Sequence, residues 1–572
     1  MNAIDILKTA THSYDPCVQE NGEIHDPALG APFQYGTPYY TVCNAVLALK
    51  TAGAERDAHV QRALKGLEAS LNHVVRIDLP PTISSLDRDT GTTRRVNHRD
   101  FFWPPILKSY LILRGLGQEV GRFEDSIRSV DVEEAFRSRP PSNWAMVWLS
   151  GEWLRIREGL SPNSIERFDE WLAVFFSDRI DIDKGFYHEP GHPNCYDLFT
   201  RFHLADILQE GYDGRSRDAM CGLMETGLER SLAVQLSDGS VASAYRSTGL
   251  SWTVGVECAY FTHAARFFES RDRARSRAAR DAARRALSSF ARWQRKDSYY
   301  SPVENCLPGA YRVGYEGYTT EANHGLLPTA ALAAAVLNGL DDEPLPSGTP
   351  KPTLVRIEHD PTYRAIAHRG LYSVHFNAFP SPRYDGFGIV DMTFGPNRFL
   401  HFASSVKSLH SGKFLNVGLA HKSHQVDGEL TIIARKDFNL AYGFRRVEGN
   451  GCCGFALEGR AKGEYYTYAA SVEIDDAGIV VNESTPGLKD YKSLLIPYLK
   501  DPGTGMTTDV IVGKTIRFIL GDEEIEFVLG EEIDRVIHLP YGYENRRGLC
   551  GLIRIDFKGV REGIVCRVRS VK

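Results

Sequence analysis

The sequence predicts a multidomain protein of α and β parts, an N-terminal (α/α) toroid followed by a C-terminal antiparallel β-sandwich. Three observations predict it. Before residue 340, apolar residues recur at helical spacing in segments of roughly 12–20 residues, separated by Gly, Pro, Asp or Asn. After residue 353 the spacing changes to two. Between the two lies GLDDEPLPSGTPKPT, Gly339 to Thr353, with Pro344, Pro346, Pro350 and Pro352 in one short polar stretch that cannot continue a helix. The boundaries are therefore 1–340 for the toroid, 341–353 for a Pro-rich linker and 354–572 for the sandwich. A chain of 572 residues exceeds what one hydrophobic core organises.

Helices are expected to begin near Tyr39, Ala58, Pro105, Asn143, Ser164, Tyr196, Asp218, Trp252, Arg273 and Glu321. A total of about ten to twelve with short loops fits helix pairs circling an axis, with inner-helix ends lining a central cleft. An irregular helical bundle is the alternative. In the second part, Tyr363 to Phe376, Glu429 to Arg435, Lys514 to Leu520, Glu524 to Leu529, Leu552 to Phe557 and Ile564 to Val568 are short, rich in β-branched or aromatic residues, and mostly alternating. KTIRFILGDEEIEFVL reads as two strands around a Gly-Asp turn. With no helix-length pattern between them, the strands are expected to pair antiparallel and to pack as a sandwich.

Hydrophobic residues at 42% and charged residues at 24% exclude a disordered or fibrous chain, and a net charge of −6 argues against a nucleic-acid partner, whose phosphates need a basic face. An anionic ligand would need a local cluster of Arg and His. MNAIDILKTATHSYDP lacks the basic start and apolar run of a secretory signal, and no stretch is apolar enough for a membrane. The ten cysteines are scattered without disulfide or paired CxxC spacing. A reduced, cytoplasmic setting is the expectation.

Four clusters carry candidate chemistry. RRVNHRDFFWPPILKSY sets Arg94, Arg95, Asn97, His98, Arg99 and Asp100 beside Phe101, Phe102 and Trp103. Aromatic faces beside such groups suit a sugar ring bearing a carboxylate; the alternative is an interdomain contact with the aromatics in the core. GFYHEPGHPNCYDLFTRFHLADIL holds His188, Glu189, His192 and Cys195. Pro190 and Gly191 make this segment a loop and not one helical face, so no metal is expected. His188, His192, Asn194 and Tyr196 are then substrate contacts, and His203 a packed structural residue. QLSDGSVASAYRSTGLSWTVGVE places Tyr245 and Arg246 on a loop between paired helices, a carboxylate clamp next to a proton donor or base. YRVGYEGYTTEANHGLLP offers three tyrosines, Tyr311, Tyr315 and Tyr318, with Glu316, Glu321, Asn323 and His324, the last two in a first helical turn where capping is the alternative. The Arg-rich run from Arg266 to Arg285 reads as a solvated helix face.

The sequence resembles the toroid-type polysaccharide lyases, the group that includes alginate lyases, heparinase-like enzymes and chondroitin or hyaluronan lyases. The architecture covers nearly the whole chain. Asn97-His98 followed by aromatics and Trp103 looks like the Asn-His-aromatic signature of the alginate-lyase branch, and Asn143-Trp144 like the Asn-Trp helix start of the hyaluronan-lyase branch. Asp238-Gly239-Ser240 followed by Tyr245-Arg246-Ser247 looks like a cleft loop of several toroid families. Where the hyaluronan branch carries His and Tyr after this DGS, the present chain has Ser243 and Trp252.

The resemblance implies β-elimination at a uronic acid of an acidic oligosaccharide or polysaccharide, without a cofactor, and the absent signal suits exo-action on imported oligosaccharides. Elimination requires that the carboxylate be neutralised while charge develops at C5, a role for Asn97, His98 and Arg246. A base must take the C5 proton and an acid protonate O4, with His192 or His98 as base and Tyr245 or Tyr196 as acid. Trp103, Arg99, His188, Asn194, Asn143, Tyr315 and His324 are the expected substrate contacts. A glycoside hydrolase on a toroid is the competing reading and would need a carboxylate pair, for which Glu152, Asp100, Glu257, Glu316 and Glu321 are available. A non-catalytic carbohydrate-binding protein is the third.

Overall fold

Helix starts in this chain carry their own signals: Ser164 accepts a bond from the Arg167 N–H, and Asp272 from those of Ala274 and Arg275. The structure, a computed structural model, describes residues 2–340 apart from 88–89 and 192–193, and 350–571 apart from 360–361, 379–383, 385–386, 396–397, 403–405, 409–413, 416–417, 427–428, 433–442, 450, 461–466 and 540–541. Its helices are α1 (Ala3–His12), α2 (Gly36–Lys50), α3 (Gly53–Val75), α4 (Trp103–Gly115), α5 (Glu124–Ser129), α6 (Val132–Ala135), α7 (Asn143–Arg157), α8 (Ile165–Asp178), α9 (Asn194–Gln209), α10 (Arg217–Val234), α11 (Ser251–Phe268), α12 (Arg273–Ala291) and α13 (Glu321–Leu337). Helix α1 was not among the expected starts, and α5 and α6, at six and four residues, are too short to show a helical period.

Six of these helices close a cycle. Helix α2 packs on α4, α4 on α7, α7 on α9, α9 on α11, α11 on α13, and α13 back on α2. They are apolar on nearly every side, as helices walled in by others must be: Trp252 to Ala265 of α11 are all buried. Outside them, α3 lies on α2, α12 on α11 and α1 on α13. The seam is pinned where the Tyr14 hydroxyl donates to the Glu321 carbonyl at 2.6 Å and the Ala322 N–H to Asp26 at 2.9 Å. The Arg-rich helix α12 buries Ala279, Ala282, Ala283 and Ala286 and turns Arg275 and Arg280 outward to ion pairs with Glu229 and Glu269. Two hairpins interrupt the helices, β1 (Ile83–Leu86) with β2 (Thr93–Arg95) and β3 (Ile180–Asp181) with β4 (Phe186–Tyr187). Among the described residues no helix is long and apolar enough to cross a membrane.

From β5 (Lys351–Glu358) onward the described elements are strands, all paired antiparallel. Strands β5, β6 (Arg364–Gly370), β7 (Tyr372–Asn377) and β8 (Gly388–Phe394) form one sheet in sequence order, and two further sheets have eight strands each. Strand β5 takes in Pro352, which an edge strand tolerates. Tyr363 to Phe376, expected as one strand, is two, because the chain reverses after Gly370 at φ +60°. The Gly-Asp hairpin forms with Leu520 opposite Glu523. Residues 433–435, expected to extend the strand Glu429–Ile432, lie outside the described residues. Phe376 of β7, Phe455, Val472, Phe518 and Ile553 share one apolar core across the sheets.

Polar contacts bind the helical part to the sheets. Ser237 bonds Ser373 and Thr393 at 2.9 and 2.8 Å, His368 reaches the Ala233 carbonyl at 2.7 Å, and Arg547 pairs with Glu304 at 2.7 Å. Glu358 of β5 accepts from Arg230 at 2.8 Å, from Arg356 and Arg364 at 2.7 Å and from Thr362 at 2.9 Å.

Candidate active site

Each helix of the cycle delivers side chains from its amino end into one cavity of about 350 Å³. Gln34 and Tyr35 precede α2, and His98 and Phe101 precede α4. Trp144 opens α7, Tyr196 and Phe199 lie in the first turns of α9, Arg246 and Trp252 flank the start of α11, and Tyr318 and His324 that of α13. The β1–β2 hairpin adds Arg94. A second cavity of about 590 Å³ shares Ser85, Arg246 and Tyr318 with the first and runs between helices and sheets to Asp391 and the turn Asn545 to Arg547.

The charge of the smaller cavity is one-sided. Among its described lining residues stand Arg94, Arg137 and Arg246, together with His98 and His324, whose charged forms burial disfavours, and no Asp or Glu. Six helix amino ends add their partial positive charge.

His98 is buried against the Trp144 ring, 5.0 Å away, and its Nδ1 lies 3.0 Å from the Val96 carbonyl. A carbonyl only accepts, so Nδ1 carries the proton and Nε2 keeps its lone pair. Burial pushes the imidazole down to about 4, and it is neutral at pH 7. Tyr196 lies under the Arg246 guanidinium, 4.6 Å from the ring centre, with its hydroxyl 3.0 Å from Ser247 Oγ. Burial raises the Tyr196 phenol more than Arg246 lowers it, so it stays protonated. Ser247 Oγ also bonds the Tyr318 hydroxyl. The loop is bent to make these contacts, with Tyr245 at φ +72° and Ser247 at φ +71° on either side of Arg246. Behind Arg246, Glu189 is raised by burial, an effect that Arg246 and hydrogen bonds from Tyr187 and Asn143 oppose.

The expected site residues thus separate. His98, Tyr196, Arg246 and His324 line the smaller cavity, and Tyr315 the larger. His324 Nδ1 also accepts the Thr320 N–H at 3.2 Å, a capping bond, and Tyr315 donates to Glu321, which pairs with Arg295 at 2.9 Å. The others fall outside the lining. Asn97 donates to the Ala135 carbonyl at 3.1 Å and accepts the Arg99 N–H at 2.9 Å. Arg99 is spent on carbonyls in the last turn of α3 and just beyond it, His73 at 2.8 Å and Leu79 at 3.0 Å, because a helix end leaves such acceptors unpaired. Trp103 is fully buried with its N–H on Glu152 at 3.1 Å, so the aromatics Phe101 to Trp103 are largely core. Asn143 is buried against Glu189, Tyr245 is buried at 3% exposure, and His188 sits half-buried at the edge of Phe186. His192 and the side chain of Asn194 lie outside the described residues. His203 is packed, bonding Ser150 at 3.0 Å.

Tyr318 is one of the three tyrosines of the fourth cluster, whereas Gln34, Tyr35 and Arg137 were not singled out from the sequence. Gln34 and Tyr35 share the position just before an inner-helix start.

No family model matches the chain, and no curated protein matches it. Among solved structures it is similar to the Salegentibacter alpha-1,6-mannanase, at 10% identity over 59% of this chain and 100% of that one with a TM-score of 0.38. It is similar to heparinase III at 10% identity, over 100% of this chain and 85% of that one, with a TM-score of 0.36. Its likeness to the chondroitin AC lyase of Streptomyces coelicolor A3 spans 99% of this chain and 79% of that one, at 12% identity and a TM-score of 0.47, so chondroitin lyases and heparinases, named above for the sequence resemblance, both recur among its structural neighbours.

Proposed function

We propose that the protein is a polysaccharide or oligosaccharide lyase, an (α/α) toroid joined to an antiparallel sandwich, that cleaves a uronate-containing glycan by β-elimination. The observation that carries this reading is a cavity with three arginines, two histidines and, among its described lining residues, no carboxylate. A hydrolase needs two carboxyl groups across the scissile bond. Of the four carboxylates that line the larger cavity, Glu304, Glu316, Asp391 and Glu544, three are held by arginines: Glu304 and Asp391 face Arg547 at 2.7 and 3.7 Å, and Glu316 accepts from Arg546 at 2.7 Å.

Arg246 faces the uronate carboxylate, with its Nε buried and unpartnered among the described residues. Fixed positive charge there stabilises the enolate-like charge that follows loss of the C5 proton. Nε2 of His98 takes that proton, and Tyr196 gives its own to O4 as the bond to the leaving sugar breaks. Tyr35, Trp144 and Trp252 line the cavity and supply the aromatic surface against which sugars would pack.

Incubation with a panel of uronate glycans is expected to give a product absorbing in the near ultraviolet, from its C4–C5 double bond. A saturated product with a new reducing end would overturn the reading. The pH profile is the second test. Protonation of His98 removes the base, so kcat/KM is expected to fall on the acid side with a midpoint near 4, where burial places the group, and not near the ordinary histidine value of about 6.5.

A further inference from the structure

We infer that Arg546, carried by a turn of the sheet part, is a positioning residue for the cleft, holding through Glu316 the serine that joins Tyr196 to Tyr318. The inference rests on the reading of Tyr196 as proton donor. Arg546 stands between the strands Tyr543–Asn545 and Gly548–Arg561. Its guanidinium donates to Glu316 Oε1 at 2.7 Å, and the same oxygen accepts the Ser247 N–H at 2.7 Å. One carboxylate oxygen therefore ties a sheet side chain to the backbone of the cleft loop. Ser247 needs such a hold, because an L residue keeps a left-handed φ of +71° only where its surroundings enforce it.

The turn is itself wedged in place. A Cβ on Gly314 would lie 2.5 Å from the Arg546 Cα, and one on Gly249 would lie 3.0 Å from its Cβ. Asn305 donates to the Arg546 carbonyl at 3.0 Å. The turn cannot shift without moving the loop that carries Arg246 and Gly249 and the loop before α13 that carries Gly314. Ser247 Oγ, 3.0 Å from the Tyr196 hydroxyl and bonded to that of Tyr318, can accept from one phenol while donating to the other. Where that oxygen sits decides where the Tyr196 proton points.

A double-mutant cycle of Arg546→Ala and Ser247→Ala tests this, read as kcat and KM on the most active glycan of the panel. Arg546→Ala is expected to lower kcat roughly 10–100-fold, the cost of a misplaced catalytic group, with KM little changed. The double variant is expected to be no slower than Ser247→Ala alone, because both changes remove the same placed hydroxyl. Arg546→Lys, which keeps the charge and one donor, is expected to recover part of the rate. Additive losses, or a loss confined to KM, would overturn the inference; the latter marks direct contact with substrate. Amide exchange of the segment 245–249, measured without substrate, is expected to rise in Arg546→Ala, and unchanged exchange would overturn the inference whatever the reaction. A saturated product from the unaltered protein removes the elimination reading, and the cycle and exchange then decide the role of Arg546 on the hydrolysis.

Discussion

Tyr196→Phe is expected to lower kcat roughly 100-fold or more with little change in KM, the signature of a lost general acid or base. The ring would keep its place 4.6 Å under Arg246, so stacking and charge survive and only the transferable proton is removed. The measurement is steady-state turnover of the unsaturated product. An equal loss in Tyr318→Phe with none in Tyr196→Phe would move the donor to the other end of the serine bridge.

Glu358→Ala is expected to be the most destabilising single change at the junction of helices and sheets. Burial alone would raise this carboxyl, but Arg230, Arg364 and Arg356 more than reverse that and hold it well below the usual carboxylate range. Arg230 and Arg364 are themselves buried, and Arg230 continues to Asp197, the neighbour of Tyr196 on α9. Removing the carboxylate leaves buried Arg364 with no carboxylate partner and Arg230 with Asp197 alone, and losing one partner of a buried pair costs about 3–5 kcal/mol. Denaturant unfolding checks this. Because the folded carboxyl is depressed, its contribution is fully present above the unfolded value of about 4.3, and is lost as pH falls through the folded one. The difference between the two proteins should shrink in acid.

Local spacing carried much of the fold. The starts of α7, α8, α12 and α13 lie within a residue of their expected places, and the first strand of the sheet part begins at Lys351, inside the proline stretch and three residues before the expected boundary at 354. Direction was harder to read. His98 and Arg99 are adjacent and chemically alike in a sequence, yet one lines the cavity while the other ties down carbonyls at the end of α3. Which of two neighbours faces the cavity depends on how the short turn before α4 is packed in the cycle, a tertiary fact. The same holds at Tyr245 and Arg246, where a left-handed φ at Tyr245 leaves it buried beside a residue that lines both cavities. Arg546 lies about 300 residues from Ser247, and no motif joins them.

The pairing of α13 with α2 has a consequence for synthesis. Helix α2 emerges from the ribosome early, but the flank it presents to α13 stays open until residue 337 has been made. At about 5–20 residues per second that interval is roughly a quarter of a minute to a minute. The nascent chain is then an unclosed arc with an apolar flank at its leading end. That flank is where a holding chaperone would bind, and release would come when α13 displaces it.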